Sequence, residues 1–521
     1  MSPATQSATK LEQIVSLLAK SIALRNEQQL PEALAVIDEI LERVPDFAPC
    51  YLNRVLILAE LGRYEDSLIE CSKLLAVSGP LPENLALRDE IRDQALAAFE
   101  QALQETPDDS DVLFRRGNIY MIMQQYTAAE EAYAALLKDN PDHQGAIDHR
   151  GHALLSLNRR EEALQAYRQL LLLPFGEARH WVNFGNVLQN LNCLEEAGEA
   201  YRQATLRDPE LAEAYLELGH CRLAAGDFEA GWQLYEWRWK TMQLAPQYLP
   251  TMQPLWLGDA GLENKTILLW AEQGLGDVIQ FARFVPRVAD LGGKVILRVP
   301  RVLRTLLQSL DTRITLIDEQ EALPAYDCHC PLMSLPLALG IAGPPDAVPY
   351  LQADAVRIQH WSDTLGPRQR LRIGLVWAGK QGERINVTRD MSLSALLPLA
   401  ELDVDIVCLQ KEIPAADVDV FKQFPRRYRS ETSLSDFSET AALIENLDIV
   451  ISVDTAVAHL AGALGKPCWL LLRQSSEWRW QLERADSPWY PSMRIFRQHQ
   501  QGNWPEVVDL VCQEIQQLVS A

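Results

Sequence analysis

The sequence predicts an α-helical repeat superhelix followed by an α/β half made of two small, doubly wound domains. Three observations carry this. Glycines recur every 34 residues, at Gly117, Gly151, Gly185 and Gly219. After a proline-containing connector near Pro246 to Pro254, the hydrophobic period changes to short apolar β-runs alternating with helices. Two of those β-runs end in polar turns, Gly274–Asp277 and Asp454–His459. A helical repeat buries its apolar face only by stacking on its neighbours, and alternating strands and helices build parallel sheets.

The repeats come first in the chain. A small residue stands 12 positions after each glycine (Ala129, Ala163, Ala197, Gly231), and 4 further on stands a tyrosine (Tyr133, Tyr167, Tyr201, Tyr235). Prolines 141, 174 and 209 close the units. Small residues let paired helices approach closely, and the tyrosines fill the gap to the next repeat. Ala33 with Pro45 and Ser67 with Pro80 keep the register further upstream, whereas the unit ending at Pro107 is shortened in its first helix. Period and pattern together resemble tetratricopeptide repeats, about seven of them between residues 11 and 242, within a domain placed at 1–245. Such an array implies a concave face that holds a peptide or protein partner; a spacer or a dimerisation arm is the alternative. Its last unit ends in GWQLYEWRWK, where Trp232, Trp237 and Trp239 are expected to dock on the next domain.

The α/β half divides into domains at 246–360 and 361–521. In the first, Thr266–Trp270, Lys294–Val299 and Ile314–Ile317 read as strands, with helices from Val278 and over Arg301 to Leu310. In the second, Ile373–Trp377, Asp405–Leu409, Asp448–Ser452 and Cys468–Leu472 read as strands, and a final amphipathic helix spans about Pro505 to Val519. Doubly wound domains bind ligands at the C-terminal ends of their strands, so both polar turns are expected to face one cleft.

The turn DIVISVDTAVAHLAGALGKP starts an anion site of a familiar kind: free backbone N–H groups and the positive end of a helix dipole converge on one spot. Asp454 is a candidate cap, Thr455 offers a hydroxyl and His459 a second donor; the alternative is an ordinary capped helix with a buried histidine. Gly274-x-Gly276 lacks the third glycine of the dinucleotide motif and supplies instead a tight turn beside Asp277. That carboxylate is placed either to act as general base on an acceptor hydroxyl or to cap its own helix.

GLGDVIQFARFVP followed by VDTAVAHLAGALGKP resembles the two halves of bacterial heptosyltransferases, glycosyltransferase family 9, over about residues 264–515. The resemblance implies a GT-B fold, two Rossmann-like domains with a nucleotide-sugar cleft between them. It implies Asp277 as catalytic base, and a donor-phosphate grip formed by Asp454, Thr455 and His459. The family turn is Asp-Thr-Gly-x-x-His, and Ala456 stands here where the glycine would be. Repeats followed by a GT-B domain are also similar to O-linked N-acetylglucosamine transferases and bacterial flagellin glycosyltransferases. That similarity implies donor contacts from Gln410 and Lys411, with Lys411 neutralising the leaving diphosphate and Arg389 as a further cationic candidate. Enzymes of this kind need no metal or other cofactor beyond the nucleotide-sugar substrate.

Composition bounds the remaining possibilities. The net charge of −23 splits into −16 over residues 1–250 and −7 over 251–521, which argues against nucleic-acid binding. Basic clusters at Arg368–Arg372 and Arg473–Arg484 are either solvated surface or help for an anionic ligand. Nine dispersed cysteines without a CxxC pair suggest reduced thiols in the cytoplasm. Cys328-His329-Cys330 offers two thiols, too few for a zinc site. No signal peptide and no apolar run of membrane-spanning length is evident. The expected protein is a cytoplasmic glycosyltransferase that moves a sugar from a nucleoside mono- or diphosphate donor to a hydroxyl, on a protein held by the repeats, with self-association of the array left open. The alternatives are an inactive transferase-like scaffold, and a transferase acting on saccharides or lipid-linked glycans.

Overall fold

The computed structural model describes residues 3–173, 177–344, 349–379, 389–428, 434–475 and 477–520. Pro174, one of the unit-closing prolines, lies outside them. By their contacts the residues form two compact units, Met1–Val187 and Leu188–Ala521.

The first unit is a run of antiparallel helix pairs, among them Leu30–Arg43, Ala48–Glu60, Tyr64–Ser78, Ser110–Ile122, Tyr126–Asp139, Gln144–Ser156 and Arg160–Leu172. The small positions work as steric clearances. A Cβ on Gly117 would stand 2.3 Å from the Tyr133 ring, and one on Gly151 would stand 2.6 Å from the ring of Tyr167. Each tyrosine therefore packs first against the glycine of its own repeat, and Tyr133 also reaches the next repeat with its hydroxyl 3.4 Å from His149 Nδ1. Upstream, Ala33 and Ser67 are fully buried, and the Ser67 hydroxyl donates to the Val55 carbonyl.

The turn between the helices of a pair uses a left-handed residue: Gln28, Gly62, Gln124, Asn158, Asn192 and Gly226 all have positive φ. Glycine and asparagine take this conformation at least cost. The unit ending at Pro107 differs from expectation. It is not a pair with a shortened first helix but one continuous helix, Pro82–Glu105, of 24 residues. No Gly, Asn or Pro interrupts its interior after Asn84, so nothing there favours a turn.

The second unit continues with the helices Leu194–Arg207, Ala212–Ala224 and Phe228–Tyr235, then the α/β half. Its first sheet holds β1 (Thr266–Trp270), β2 (Lys294–Val299), β3 (Thr315–Asp318) and β4 (Cys328–Pro331) in the order β3-β2-β1-β4. The second holds β5 (Leu371–Val376), β6 (Val404–Cys408), β7 (Arg427–Tyr428), β8 (Ile449–Val453), β9 (Cys468–Leu472) and β10 (Met493–Arg497) in the order β10-β9-β8-β5-β6-β7. All pairings are parallel, so every strand delivers its C-terminal end to the same edge of its sheet. Helices cover both faces, and the central strands are accordingly continuous apolar runs such as Cys468–Leu472, all buried.

The Cys-His-Cys segment is β4. Its histidine accepts from Trp270 Nε1 at 3.2 Å and lies 3.5 Å from the Tyr248 hydroxyl, which accounts for both ring nitrogens. Among the described residues, no group of three His, Cys, Asp or Glu side chains is placed to hold a metal ion. Nor is any described helix long and apolar enough to cross a membrane.

One hydrophobic core runs from the last repeat into both sheets, from Leu223, Phe228, Trp232 and Tyr235 through Phe281 and Phe284 to Trp478, Trp480 and Trp489. Trp232 is its hinge point, edge-on to Phe281, Trp478 and Trp489 with centroids 5.4–6.5 Å away. Trp239 packs on Trp270 and Tyr248. Trp237 behaves otherwise: it stacks flat on Tyr215 of the last repeat at 3.9 Å, with the Lys240 ammonium over its ring. Two of the three expected docking tryptophans dock. The third closes its own repeat on Tyr215.

Candidate functional site

The site is assembled from strand ends. After β1 the chain turns through Gln273, at φ +58, into the helix Leu275–Ala282; after β8 it turns through Asp454 and Thr455 into the helix Ala456–Ala463. The two helices pack together at their first turns. A Cβ on Gly276 would lie 2.8 Å from His459 Cδ2 and 3.5 Å from Ala456 Cα. Gly276 is therefore a clearance that lets two helix N-termini share one opening, and their dipole ends add there. That opening is a cleft of about 910 Å³ lined by residues from both α/β halves, within the size range of small-ligand sites.

Gly274, Gly276, Asp277, Arg389, Gln410, Lys411, Asp454, Thr455, Ala456 and His459 all line this cleft. Their surroundings differ from what the sequence suggests. Thr455 holds the N-cap position, but its hydroxyl pairs with Ser452 Oγ at 3.0 Å and makes no bond to the helix. Among the described residues, Asp454 makes no capping bond either. The first amides of that helix are therefore left for a ligand.

Gln410 is buried and turned to the backbone. Its Oε1 accepts from the amides of Trp377 and Ala378, and its Nε2 donates to the Ala378 carbonyl at 2.8 Å. The side chain shapes the loop after β5, beside which Asp390 accepts from Gly379 N at 2.7 Å. Lys411 is exposed at the cleft rim.

Asp277 performs two jobs at once. One oxygen accepts from the Gly274 amide at 2.9 Å, closing the first turn of the helix. The other receives Arg479 Nη2 in an ion pair. Arg479 donates in addition to Gln280, one turn along the same helix, and to Glu477. Its guanidinium lies over the Trp478 ring at 4.3 Å, and the residue is 4% exposed.

Sequence reasoning placed Arg479 only within a basic stretch and missed its role. The available signal was its position between two tryptophans, Trp478 and Trp480, which marks a buried segment rather than a solvated one. The other basic stretch, Arg368–Arg372, serves the opposite end of the strands. Arg368 pairs with Asp448, Arg370 pairs with Asp403 at 2.7 Å, and Arg372 donates to the carbonyls of Leu365 and Gly366.

His459 is enclosed by Trp480, whose ring centroid is 5.2 Å away, and by the Tyr490 hydroxyl, 3.0 Å from Nδ1. Burial drives its imidazole well below the ordinary value of 6.5, and Arg479, Arg283 and Arg389 act in the same direction. The ring is neutral at pH 7. In the tautomer in which the Tyr490 hydroxyl donates to Nδ1, Nε2 carries the proton and can donate a hydrogen bond. A neutral histidine that resists protonation binds fewer protons folded than unfolded, so stability is complete above about 6.5 and declines as the pH falls below it. His149 and His329, also lowered by burial, contribute with the same sign. We expect thermal melts between pH 8 and pH 5 to show this decline, and His459→Gln to flatten it by the His459 share; an unchanged slope in the variant would place the proton uptake elsewhere.

Known proteins resemble both halves of the chain. Residues 431–513 match glycosyltransferase family 9 (heptosyltransferase), a span that holds Asp454, Thr455, Ala456, His459 and Arg479. Residues 86–149, 146–174 and 182–236 match tetratricopeptide repeats. Protein FlbA of Caulobacter vibrioides is 28% identical over 346 residues, covering 58% of this chain and 55% of its own length. The chain thus spans about half the length of that curated relative. Among solved structures, MamA is similar at 18% identity with a TM-score of 0.29, over 32% of this chain and 98% of its own. YrrB, a repeat protein with an unusual peptide-binding site, is similar at 18% identity with a TM-score of 0.25, over 41% and 93%. The chain joins tetratricopeptide repeats to a glycosyltransferase family 9 domain.

Proposed function

We propose that the protein is a cytoplasmic, metal-independent glycosyltransferase of GT-B architecture that moves a sugar from a nucleoside mono- or diphosphate donor to a hydroxyl, on a protein held by its repeats. The observation that carries this reading is the cleft at the strand ends. There the amides of the Ala456–Ala463 helix, neutral His459 and the cations Arg389 and Lys411 face the turn that presents Asp277.

In the transfer step the acceptor oxygen attacks the anomeric carbon and its proton passes to the Asp277 carboxylate. The bond from that carbon to the phosphate oxygen breaks, and its electron pair leaves on the phosphate. Developing negative charge is met by fixed donors: the first helix amides, the Thr455 hydroxyl, the Nε2 proton of His459 and the Lys411 ammonium. The helix amides and buried His459 are held in place and need no reorganisation, which is the condition under which such stabilisation is large; Lys411, exposed at the rim, and the Thr455 hydroxyl, paired with Ser452, turn toward the phosphate as it binds. Ala456 in place of the family glycine keeps its backbone amide and adds one methyl group beside the phosphate position, so the amide grip persists. Gln410 lines the same cleft while its amide group holds the backbone of Trp377 and Ala378.

The test is a thermal-shift screen of the full chain against UDP, GDP, ADP and CMP, with and without Mg²⁺. A ligand at a hundredfold excess over its Kd stabilises the folded state by about 2.7 kcal/mol. A selective shift, independent of Mg²⁺ and reduced in Thr455→Ala and Lys411→Ala, is the expected result. No shift with any nucleotide would leave an inactive scaffold as the better reading.

A further inference from the structure

The tyrosine that recurs with the repeat period changes its partner in the last unit. Tyr133, Tyr167 and Tyr201 each stand in mid-helix and donate to the first helix of their own repeat, to Asn118 Oδ1 at 2.8 Å, the Asp148 carbonyl at 3.1 Å and Gln189 Oε1 at 3.1 Å. Tyr235 does not. Its helix, Phe228–Tyr235, is 8 residues long and ends on the tyrosine itself. A Cβ on Gly219 would meet Leu234 Cβ at 3.0 Å and the Tyr235 backbone nitrogen at 3.3 Å, where Gly117 and Gly151 meet a tyrosine ring. The Tyr235 hydroxyl faces the α/β half instead: it accepts from Gln273 Nε2 at 3.0 Å and donates to Met333 Sδ at 3.8 Å. Burial pushes this hydroxyl above its ordinary value, so it keeps its proton for Met333 and a lone pair for Gln273.

Gln273 is a residue that must be held. It lines the cleft at φ +58, in the left-handed region that a glutamine enters only against a steric cost. The next residue is Gly274, whose amide fixes one oxygen of Asp277 at 2.9 Å. Relaxation of Gln273 toward ordinary backbone angles would turn that amide and carry the carboxylate with it. The residue before, Glu272, is gripped by Arg238, whose guanidinium lies over the Tyr235 ring at 4.7 Å. We propose that Tyr235 is a positioning residue for the transfer step: its hydroxyl holds Gln273 in the conformation that sets the Gly274–Asp277 turn, so the end of the repeat array belongs to the catalytic apparatus and is more than a handle for a partner. The inference rests on the glycosyl-transfer reading with Asp277 as base. It concerns geometry alone, because a hydroxyl bound to Gln273 touches neither substrate.

The experiment follows nucleotide release by the full chain from UDP-N-acetylglucosamine, GDP-mannose, ADP-glucose and CMP-sialic acid, with a threonine peptide and water itself as acceptor hydroxyls. We expect Tyr235→Phe to lower kcat by about tenfold, the range of one lost hydrogen bond felt at the reacting carboxylate, with the donor KM and the melting temperature little changed. Tyr201→Phe, the same change one repeat earlier, should leave transfer as it is. Gln273→Ala, which alters an exposed side chain, should lower kcat at least as much, and adding Tyr235→Phe to it should lower kcat no further. Unchanged transfer in Tyr235→Phe overturns the inference and leaves the transferase reading intact. So does a fall that follows the melting temperature, that recurs in Tyr201→Phe, or that adds in full to the effect of Gln273→Ala. No nucleotide release from any donor by the unaltered chain overturns both.

Discussion

Asp277→Asn is expected to lower sugar transfer by about 10²–10⁴-fold, the usual contribution of a positioned general base, while nucleotide binding is retained. Asparagine preserves the volume of the side chain, and its carbonyl oxygen still accepts from the Gly274 amide, so the first turn of the helix Leu275–Ala282 stays closed. Arg479 loses one carboxylate oxygen but keeps Gln280 and Glu477. What disappears is the proton acceptor. The split between chemistry and binding distinguishes this role from a structural one: single-turnover transfer should fall while the thermal shift caused by the nucleotide persists. If the variant retained transfer, Asp277 would be only a helix cap and an anchor for Arg479, and the base would have to be sought elsewhere in the cleft.

Arg238→Met should be the most destabilising single change outside the cleft, by about 3–5 kcal/mol, the cost of removing one partner of a buried ion pair. Arg238 is fully buried at the end of the last repeat helix. It donates from Nε and Nη2 to both oxygens of Glu272 at 2.9 and 2.8 Å, from Nη1 to Glu236 at 2.7 Å and from Nη2 to Ser334 at 2.7 Å. Burial alone pushes the Glu272 carboxyl up, and Arg238 opposes that push. Without the arginine, Glu272 must either take up a proton or remain as an unpaired interior charge.

The change should also reach the site, because the next residue, Gln273, starts the turn that presents Asp277 and is tied to the repeat through Tyr235 at 3.0 Å. Chemical denaturation of Arg238→Met and of Arg238→Met/Glu272→Leu decides the matter. The double variant should recover most of the loss, since replacing both partners with apolar groups removes the uncompensated charge. Equal loss in both would show that packing rather than charge dominates at Arg238.

The repeats, most of the strands and both polar turns are legible in the sequence because each depends on residues close together in the chain, whereas the edge strands β7 and β10 carry too weak an apolar run to be read. The 34-residue spacing of Gly117, Gly151, Gly185 and Gly219 records where one helix must pass close to another. A run such as Ile449–Val453, fully buried, could only be a strand between two helical layers. The helix-starting turns at Gly274 and Thr455 follow from strand-to-helix connections of that kind. The continuous helix Pro82–Glu105 was misread for the same reason, since the periodic signal upstream was extended across a stretch with no breaker. What each polar side chain does was decided only by tertiary structure. Gln410 looked like a donor contact, and its amide group holds the backbone of Trp377 and Ala378. Thr455 looked like a free hydroxyl for the ligand and pairs with Ser452. Arg479 looked like surface charge and holds Asp277 from 202 residues away. Hydrophobic periodicity writes the elements into the chain locally, whereas the partner of a buried charge is set by which distant segments meet across a core, and no local pattern encodes that meeting.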